Sequence, residues 1–93
     1  MTLVKAEIYV VEVSDMSEYL GAVIKKYREK KGKGYSQQWL ANVCELSLSH
    51  VSKIEQGICD PSVKTLAKIS KALDKPLWKL IKEAEQLMAK EGE

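Results

Sequence analysis

The sequence predicts an all-α fold of five helices, preceded by a single β-strand that forms an N-terminal arm. Apolar residues recur at helical spacing from residue 17 onward, whereas residues 2–13 alternate between apolar and polar at period two. Serine, glycine and proline residues then divide the helical part into five segments. With 93 residues, 45% of them apolar and 30% charged, the chain has the size and composition of one small globular domain.

The N-terminal arm, residues 1–15, is predicted to join two copies of the chain. Its strand is about ten residues long. The apolar face of this strand consists of Val4, Ala6, Ile8 and Val10. Because a lone strand leaves its backbone N–H and C=O groups unpaired, the expected partner is the same strand of a second chain. The two strands would form an intermolecular ribbon and make a homodimer. A frayed arm that lies on the helices is the alternative.

The five predicted helices have recognisable start and stop signals. They are expected to start at Ser17, Ser36, Ser47, Ser62 and Pro76. Gly32 and Gly57 close the first and third helices, and the second ends at about Cys44. The main helical domain is predicted to cover residues 16–82. Residues 83–93 are interpreted as a C-terminal helix extension, which either adds to the dimer or packs on its own domain.

Several classes of protein are disfavoured by what the sequence lacks. No apolar run approaches the roughly 20 residues of a membrane helix, and the N-terminus lacks the basic segment of a signal peptide. Cys44 and Cys59 have no CxxC spacing and are interpreted as free thiols in a reducing cytoplasm. Because the chain has one histidine and no glycine-rich phosphate loop, we expect neither an enzyme nor a bound metal or other cofactor.

Residues 36–57 hold the most informative pattern, two short helices joined by a turn of about three or four residues, which is a helix-turn-helix geometry. The second of these helices has an apolar seam and, opposite it, a small polar face without acidic residues. Such a face fits the major groove without repelling phosphates. Residues 17–57 also carry seven basic and four acidic residues, whereas residues 1–16 carry one and three. An ordinary solvated helix face is the alternative interpretation.

This pattern resembles the lambda-repressor/Cro-like, or XRE-type, family over residues 18–82. The residues that carry the resemblance are Ser36, Gln37, Leu40 and Ala41, then Ile54, Glu55, Gln56 and Gly57, and finally Pro61 and Leu66. The resemblance implies a lambda-repressor-like DNA-binding domain that regulates transcription, as a repressor, in the cytoplasm of a prokaryotic cell and on its nucleoid. It also implies a homodimer on an inverted repeat (a palindromic operator) in double-stranded DNA. The alternative is a protein-interaction module, such as an antitoxin that binds a toxin.

The resemblance further implies which residues contact DNA. The predicted contact set is Lys33, Gln37, Leu48, Ser49, His50, Ser52, Lys53 and Gln56. Leu48 is expected to meet a thymine methyl group, and Lys53 to reach O6 or N7 of a guanine. Gln37 lies at a helix N-terminus, which favours a phosphate. His50 is either a further phosphate contact or an exposed surface histidine.

Arg28 and Glu55 match an ion pair of the family that fixes the arrangement of its helices, so they are interpreted as structural. Three features depart from the family pattern. The loop between the first two helices is longer than usual, Glu45 stands where glycine is favoured in the central turn, and residues 58–59 replace a basic phosphate contact. Trp39, at a position that is usually polar, is interpreted as partial packing.

Overall fold

The structure, a computed structural model of the chain, describes the backbone of residues 2–91 and the side chains of residues 16–91. Within this range it has five helices: α1 (Thr2–Lys30), α2 (Gln37–Cys44), α3 (Leu48–Glu55), α4 (Val63–Ala72) and α5 (Leu77–Glu91). The prediction of an all-α domain with five helices is thereby confirmed. α1 packs against α3 and α5, α2 packs against α3 and α4, and α4 also contacts α5.

The predicted N-terminal strand is wrong, because residues 2–13 are helical and belong to α1. A helix pairs its backbone groups within the segment, whereas a strand would need a partner chain. No glycine or proline occurs between Thr2 and Leu20, so α1 extends without a second nucleation step. The predicted helix start at Ser17 is wrong for the same reason. The four residues predicted to form the dimer contact are Val4, Ala6, Ile8 and Val10. Their side chains lie outside the range of side chains that the structure describes.

Three other predicted helix starts are confirmed by capping hydrogen bonds. The caps of α2, α3 and α4 are Ser36, Ser47 and Ser62. Each hydroxyl accepts a hydrogen bond from the backbone N–H three residues later, at 3.0–3.1 Å. Because the first N–H groups of a helix have no partner within the helix, each such bond stabilises its helix by about 1 kcal/mol.

The core lies where the five helices meet. Its largest fully buried side chains are Val23, Ile24, Leu40, Cys44, Val51, Ile54, Ile69 and Leu80. α1 and α5 run antiparallel, since Tyr19 hydrogen-bonds Glu91 near one end of the pair and Lys26 pairs with Glu83 nearer the other. The last turn of α5 therefore lies on α1 of the same chain.

α1 and α3 approach each other closely at Gly21. A Cβ atom at this position would lie 2.4 Å from the carbonyl oxygen of Ile54 and 2.7 Å from that of Glu55. Both oxygens belong to the backbone and cannot rotate away, so only glycine fits here. The C-terminal end of α3 is thus held directly against α1, which fixes the direction in which α3 presents its outer face.

Candidate nucleic-acid interface

The central turn between α2 and α3 consists of residues 45–47. Glu45 has a left-handed backbone, with φ 58° and ψ 44°. Leu46 donates its backbone N–H to the carbonyl oxygen of Ala41 at 2.8 Å, so the turn closes back onto α2. Ser47 then caps α3. Glu45, one of the departures from the family pattern, therefore occupies a conformation that glycine adopts most readily.

α3 has one buried side and one exposed side. The buried side chains are Val51, Ile54 and Glu55. The predicted contact residues from this helix and its C-cap all lie at exposed or half-buried positions, namely Leu48, Ser49, His50, Ser52, Lys53 and Gln56. Glu55 is the only acidic residue from position 48 to position 56, and it is buried. The outward face of α3 therefore carries no negative charge and can approach phosphates without repulsion.

Three groups on this outward face differ in their chemistry. Leu48 is 45% exposed in the first turn of α3 and offers an apolar surface. Lys53 is exposed and forms no ion pair with the described residues, so its ammonium group is available to an acceptor. Gln56 donates its Nε2–H to the hydroxyl of Ser52 at 2.8 Å, which holds the amide along the helix.

Arg28 of α1 and Glu55 of α3 form a two-point ion pair in the interior. Nε of Arg28 lies 2.8 Å from Oε2 of Glu55, and Nη2 lies 3.1 Å from Oε1. The remaining nitrogen, Nη1, donates to the backbone carbonyl of Tyr35 at 2.8 Å. The hydrogen bond to Glu55 raises the pKa of Arg28 although burial opposes this, so the guanidinium stays charged. One side chain thus joins α1, the α1–α2 loop and α3.

Gln37 joins the same ion pair from the first turn of α2. Its Nε2 donates to Oε1 of Glu55 at 2.9 Å. Because a carboxylate only accepts hydrogen bonds, the amide nitrogen faces Glu55 and the amide oxygen points away from it. Sequence reasoning assigned Gln37 to DNA and missed this bond. Its two partners are 18 positions apart, and no local pattern tells which helices approach each other.

The loop between α1 and α2, residues 31–36, presents Lys33 to solvent. Its neighbours Gly32 and Gly34 have φ angles of 113° and 94°, which residues with a Cβ rarely adopt. Neither glycine has an atom within 4 Å of the place of a Cβ, so the backbone on either side of Lys33 faces open space. Lys33 is therefore placed beside the N-terminus of α2 on an open loop.

An aromatic pair anchors the end of this loop. The rings of Tyr35 and Trp39 meet edge to face, with centroids 4.9 Å apart. The ammonium group of Lys31 lies 5.2 Å from the first centroid and 5.9 Å from the second, and it also pairs with Asp74 at 3.1 Å. Trp39 is half-buried and packs against the core, as predicted. The pattern of the sequence did not reveal that Tyr35 and Lys31 share this cluster.

The remaining reactive groups lie apart from the outer face of α3. Cys44 and Cys59 are both free thiols, and burial raises the pKa of Cys44. Among the described residues, no three side chains of the metal-binding types are placed to share an ion. None of the helices described is both long and apolar enough to cross a bilayer. The exposed polar groups of α2 and α3 are amides, hydroxyls and the ammonium group of Lys53, which hydrogen-bond phosphates and base edges.

A comparison with known proteins finds relatives of this arrangement. The sequence profile of the helix-turn-helix family matches residues 24–77. The HTH-type transcriptional regulator SlrR of Bacillus subtilis (strain 168) is 41% identical over 70 residues, which are 74% of this chain and 44% of SlrR. The chain therefore spans less than half the length of this curated relative.

Two solved structures are similar in fold. A crystal structure of the clp gene regulator ClgR from Corynebacterium glutamicum has a TM-score of 0.77 and 28% identity, over 83% of this chain and 80% of that one. A second crystal structure of ClgR has a TM-score of 0.72 and 29% identity, over 78% of this chain and 91% of that one. These relatives are named as regulators and not as enzymes.

Proposed function

This chain belongs to the XRE-type helix-turn-helix family, and on that premise we propose that it is a sequence-specific regulator that binds double-stranded DNA through α3. We further propose that it binds an inverted repeat as a homodimer and represses transcription. The observation that carries the proposal is the outward face of α3. This face has no acidic side chain and holds Leu48, Ser49 and Lys53 at exposed positions.

The proposed base contacts come from the first two turns of α3. Leu48 fits a thymine methyl group, the hydroxyl of Ser49 bonds either a donor or an acceptor, and Lys53 donates to guanine. Gly21 and the Arg28–Glu55 ion pair hold α3 from behind. Because the helix is fixed in this way, its small polar face can enter a major groove about 12 Å wide without rearrangement.

The proposed phosphate contacts surround these base contacts. Lys33 on the α1–α2 loop and Gln37 in the first turn of α2 are two of them, and Gln37 would donate its backbone N–H, since its amide nitrogen already bonds Glu55. Gln56, whose amide is oriented by Ser52, is another proposed phosphate contact. His50, half-buried on α3, adds a further contact when it is turned outward. Such contacts position the protein on the duplex, while the base contacts provide specificity.

The proposed homodimer follows from the small number of base pairs that one α3 helix can contact. One copy presents one recognition helix, which reads too few base pairs to select a site in a genome. Two copies related by a two-fold axis place two α3 helices about 34 Å apart, in successive major grooves. Two highly exposed apolar side chains, Ile58 at 69% and Val63 at 76%, follow α3 and favour a contact between copies there.

Repression is proposed because occupancy of a promoter by such a dimer is sufficient to exclude the transcription machinery. We place the DNA-binding domain in residues 16–82, with residues 83–93 as its helical extension. A regulator of this kind acts where the DNA is, on the nucleoid in the cytoplasm of a prokaryotic cell. A promoter fused to a reporter gene tests the proposed repression. Expression of the chain should lower the reporter signal only when the promoter contains the DNA site that the protein binds.

Selection of bound duplexes from a random pool, together with sedimentation of the protein, tests the main proposal. We expect an enriched inverted repeat whose half-site centres are about 10 base pairs apart, and the mass of a dimer. The matched control is Ser49→Glu/Lys53→Glu, which keeps the buried side of α3 and should enrich no sequence. Failure of the parent chain to enrich any site, or enrichment of the same site by this control, would contradict the proposal.

A further inference from the structure

A groove between α1 and α5 carries more lysines than acidic residues. It has a volume of about 510 Å³ and lies outside the helix-turn-helix. Its charged and aromatic lining consists of Lys26, Trp78, Lys79, Lys82, Glu83 and Lys90. None of the proposed DNA contacts lies in this groove.

The one acidic residue of the groove is already neutralised. Glu83 pairs with Lys26 at 2.8 Å and with Lys79 at 3.8 Å, and it also accepts a hydrogen bond from the hydroxyl of Tyr27. Lys82 and Lys90 form no ion pair with the described residues. The side chains that line the groove therefore carry four positive charges and one negative charge, and the ligand of the groove is expected to be an anion.

An exposed aromatic ring gives the groove an apolar contact as well. Trp78 is 63% exposed, so much of its ring surface is open to a ligand. The ammonium group of Lys82 lies 5.9 Å from the ring of Trp78. Leu87, half-buried against the core, also lines the groove. A ligand for this surface is therefore anionic and also has an apolar group.

The groove and the DNA-binding face lie on different sides of α1. The side chain of Arg28 reaches α3, whereas that of the neighbouring Tyr27 reaches Glu83 on α5. A duplex in contact with α3 therefore does not reach the groove. A second copy of the same face is equally basic, so repulsion disfavours self-association through it.

We propose that this groove binds an acidic peptide segment of a partner protein, with one apolar side chain of that segment against Trp78. Lys79 and Lys90 are eleven residues apart on α5, about 16 Å along the helix axis. About five residues of extended peptide span this distance, so two or three carboxylates can reach lysines at once. The site does not depend on DNA binding, because it uses none of the residues assigned to DNA.

Selection of random twelve-residue peptides displayed on phage, with the whole chain immobilised, tests this proposal. We expect enrichment of peptides that combine several Asp or Glu residues with one leucine or aromatic residue. Binding of a fluorescent enriched peptide, measured by anisotropy, should weaken about tenfold in Lys82→Glu and in Trp78→Ala. It should not weaken in Lys71→Glu on α4 or Val43→Ala on α2, which change an exposed lysine and an exposed apolar residue outside the groove.

Three results would overturn the proposal. The first is no enriched class of peptide, and the second is equal weakening by Lys71→Glu, which would show attraction to net charge alone. The third is binding of a 20-nucleotide oligo(dT) that depends on Lys82 while no peptide binds, which would make the groove a nucleic-acid site. All variants are checked for unchanged helix content by circular dichroism before binding is compared.

Discussion

Glu45 is a glutamate in a backbone conformation that suits glycine. Its left-handed geometry costs an L-residue about 1–2 kcal/mol. The side chain recovers little of this cost, because it is 84% exposed and its ion pair with Lys68 is 3.8 Å long. The turn tolerates a side chain here since it points into solvent.

We expect Glu45→Gly to raise the free energy of unfolding by about 0.5–1 kcal/mol. Glycine relieves the backbone strain of the folded state, and the greater conformational freedom of the unfolded chain offsets part of this gain. Glu45→Ala retains the strain and should give no increase. Urea denaturation followed by circular dichroism measures both variants. A Glu45→Gly protein less stable than Glu45→Ala would contradict this account of the turn.

Lys53 is predicted to contact the edge of a base and so to contribute to sequence specificity, whereas a contact with phosphate would not. Lys53→Ala should relax the preference at one position of each half-site by about 1–3 kcal/mol and leave the other positions unchanged. Lys33→Ala is the control, since removal of a phosphate-binding side chain from the loop weakens binding equally for all sequences. Competition assays with single-base variants of the selected site separate the two patterns. A uniform loss in Lys53→Ala would reassign Lys53 to phosphate.

Arg28 and Glu55 form a buried ion pair that links α1 to α3. Glu55→Ala leaves the guanidinium of Arg28 buried without its carboxylate, which costs about 3–5 kcal/mol. Gln37→Ala removes only a peripheral amide from the same carboxylate and should cost less than about 1.5 kcal/mol. Thermal or urea unfolding distinguishes the two effects. Equal loss of stability in both variants would show that the ion pair is not the main link between α1 and α3.

Among the elements, the short helices were the most predictable from sequence and the N-terminal segment the least. Ser36, Ser47 and Ser62 cap their helices through bonds that span three residues, so the local sequence contains the whole interaction. Residues 2–13 have a true period-two pattern, but the described residues 2–91 contain no strand that could pair with them. Whether such a segment joins a sheet or extends a helix depends on what lies beside it, and sequence patterning does not contain that information.

In the candidate site, too, local features could be predicted from the sequence, whereas contacts between helices could not. The acid-free face of α3 follows from helical spacing and was predicted residue by residue. The bond from Gln37 to Glu55 and the Lys31–Tyr35–Trp39 cluster depend on how α1, α2 and α3 cross. Interactions between helices of this kind are fixed by packing of the whole core, as at Gly21, and become visible only in three dimensions.

Glu83, at the contact between α1 and α5, makes the free energy of unfolding depend on pH. Burial favours a higher pKa for Glu83, but hydrogen bonds from Lys26 and Tyr27 outweigh it and lower the pKa below its ordinary value of 4.5. Burial and the bond to Glu83 also raise the pKa of Tyr27 to about 12. A carboxyl group with a lowered pKa stabilises the fold above its unfolded pKa, and this contribution is lost as the pH falls through the folded pKa.

The free energy of unfolding should therefore decrease less between pH 7 and about pH 3 in Glu83→Gln than in the parent chain. Glu85→Gln, at an exposed position of the same helix, is the control and should follow the parent. Urea denaturation at each pH provides the comparison. Parallel curves for Glu83→Gln and the parent would show that the ionised carboxylate contributes no stability at this contact.

At the scale of the whole molecule, two surfaces are assigned to two kinds of partner. Seven basic and four acidic residues fall in residues 17–57, yet only Lys53 of the basic side chains lies on α3. The others belong to α1 and its loop. The affinity for DNA is therefore expected to come from few ionic contacts and many hydrogen bonds, so its dependence on salt is shallower than that of a strongly basic protein.

The proposed homodimer would decide how the whole molecule reads DNA, and we place its contact at the exposed apolar residues that follow α3. Ile58→Glu/Val63→Glu places two charges on each copy at the proposed contact, where like charges would face each other across the two-fold axis. We expect sedimentation to show a monomer. We also expect affinity for the full inverted repeat to fall toward that for one half-site, because linkage between the two copies is lost. Val43→Glu, an exposed apolar position on α2, is the control and should remain dimeric. If the double variant still sediments as a dimer and binds the full repeat normally, the copies associate elsewhere, and half-site spacing must be derived from that other surface.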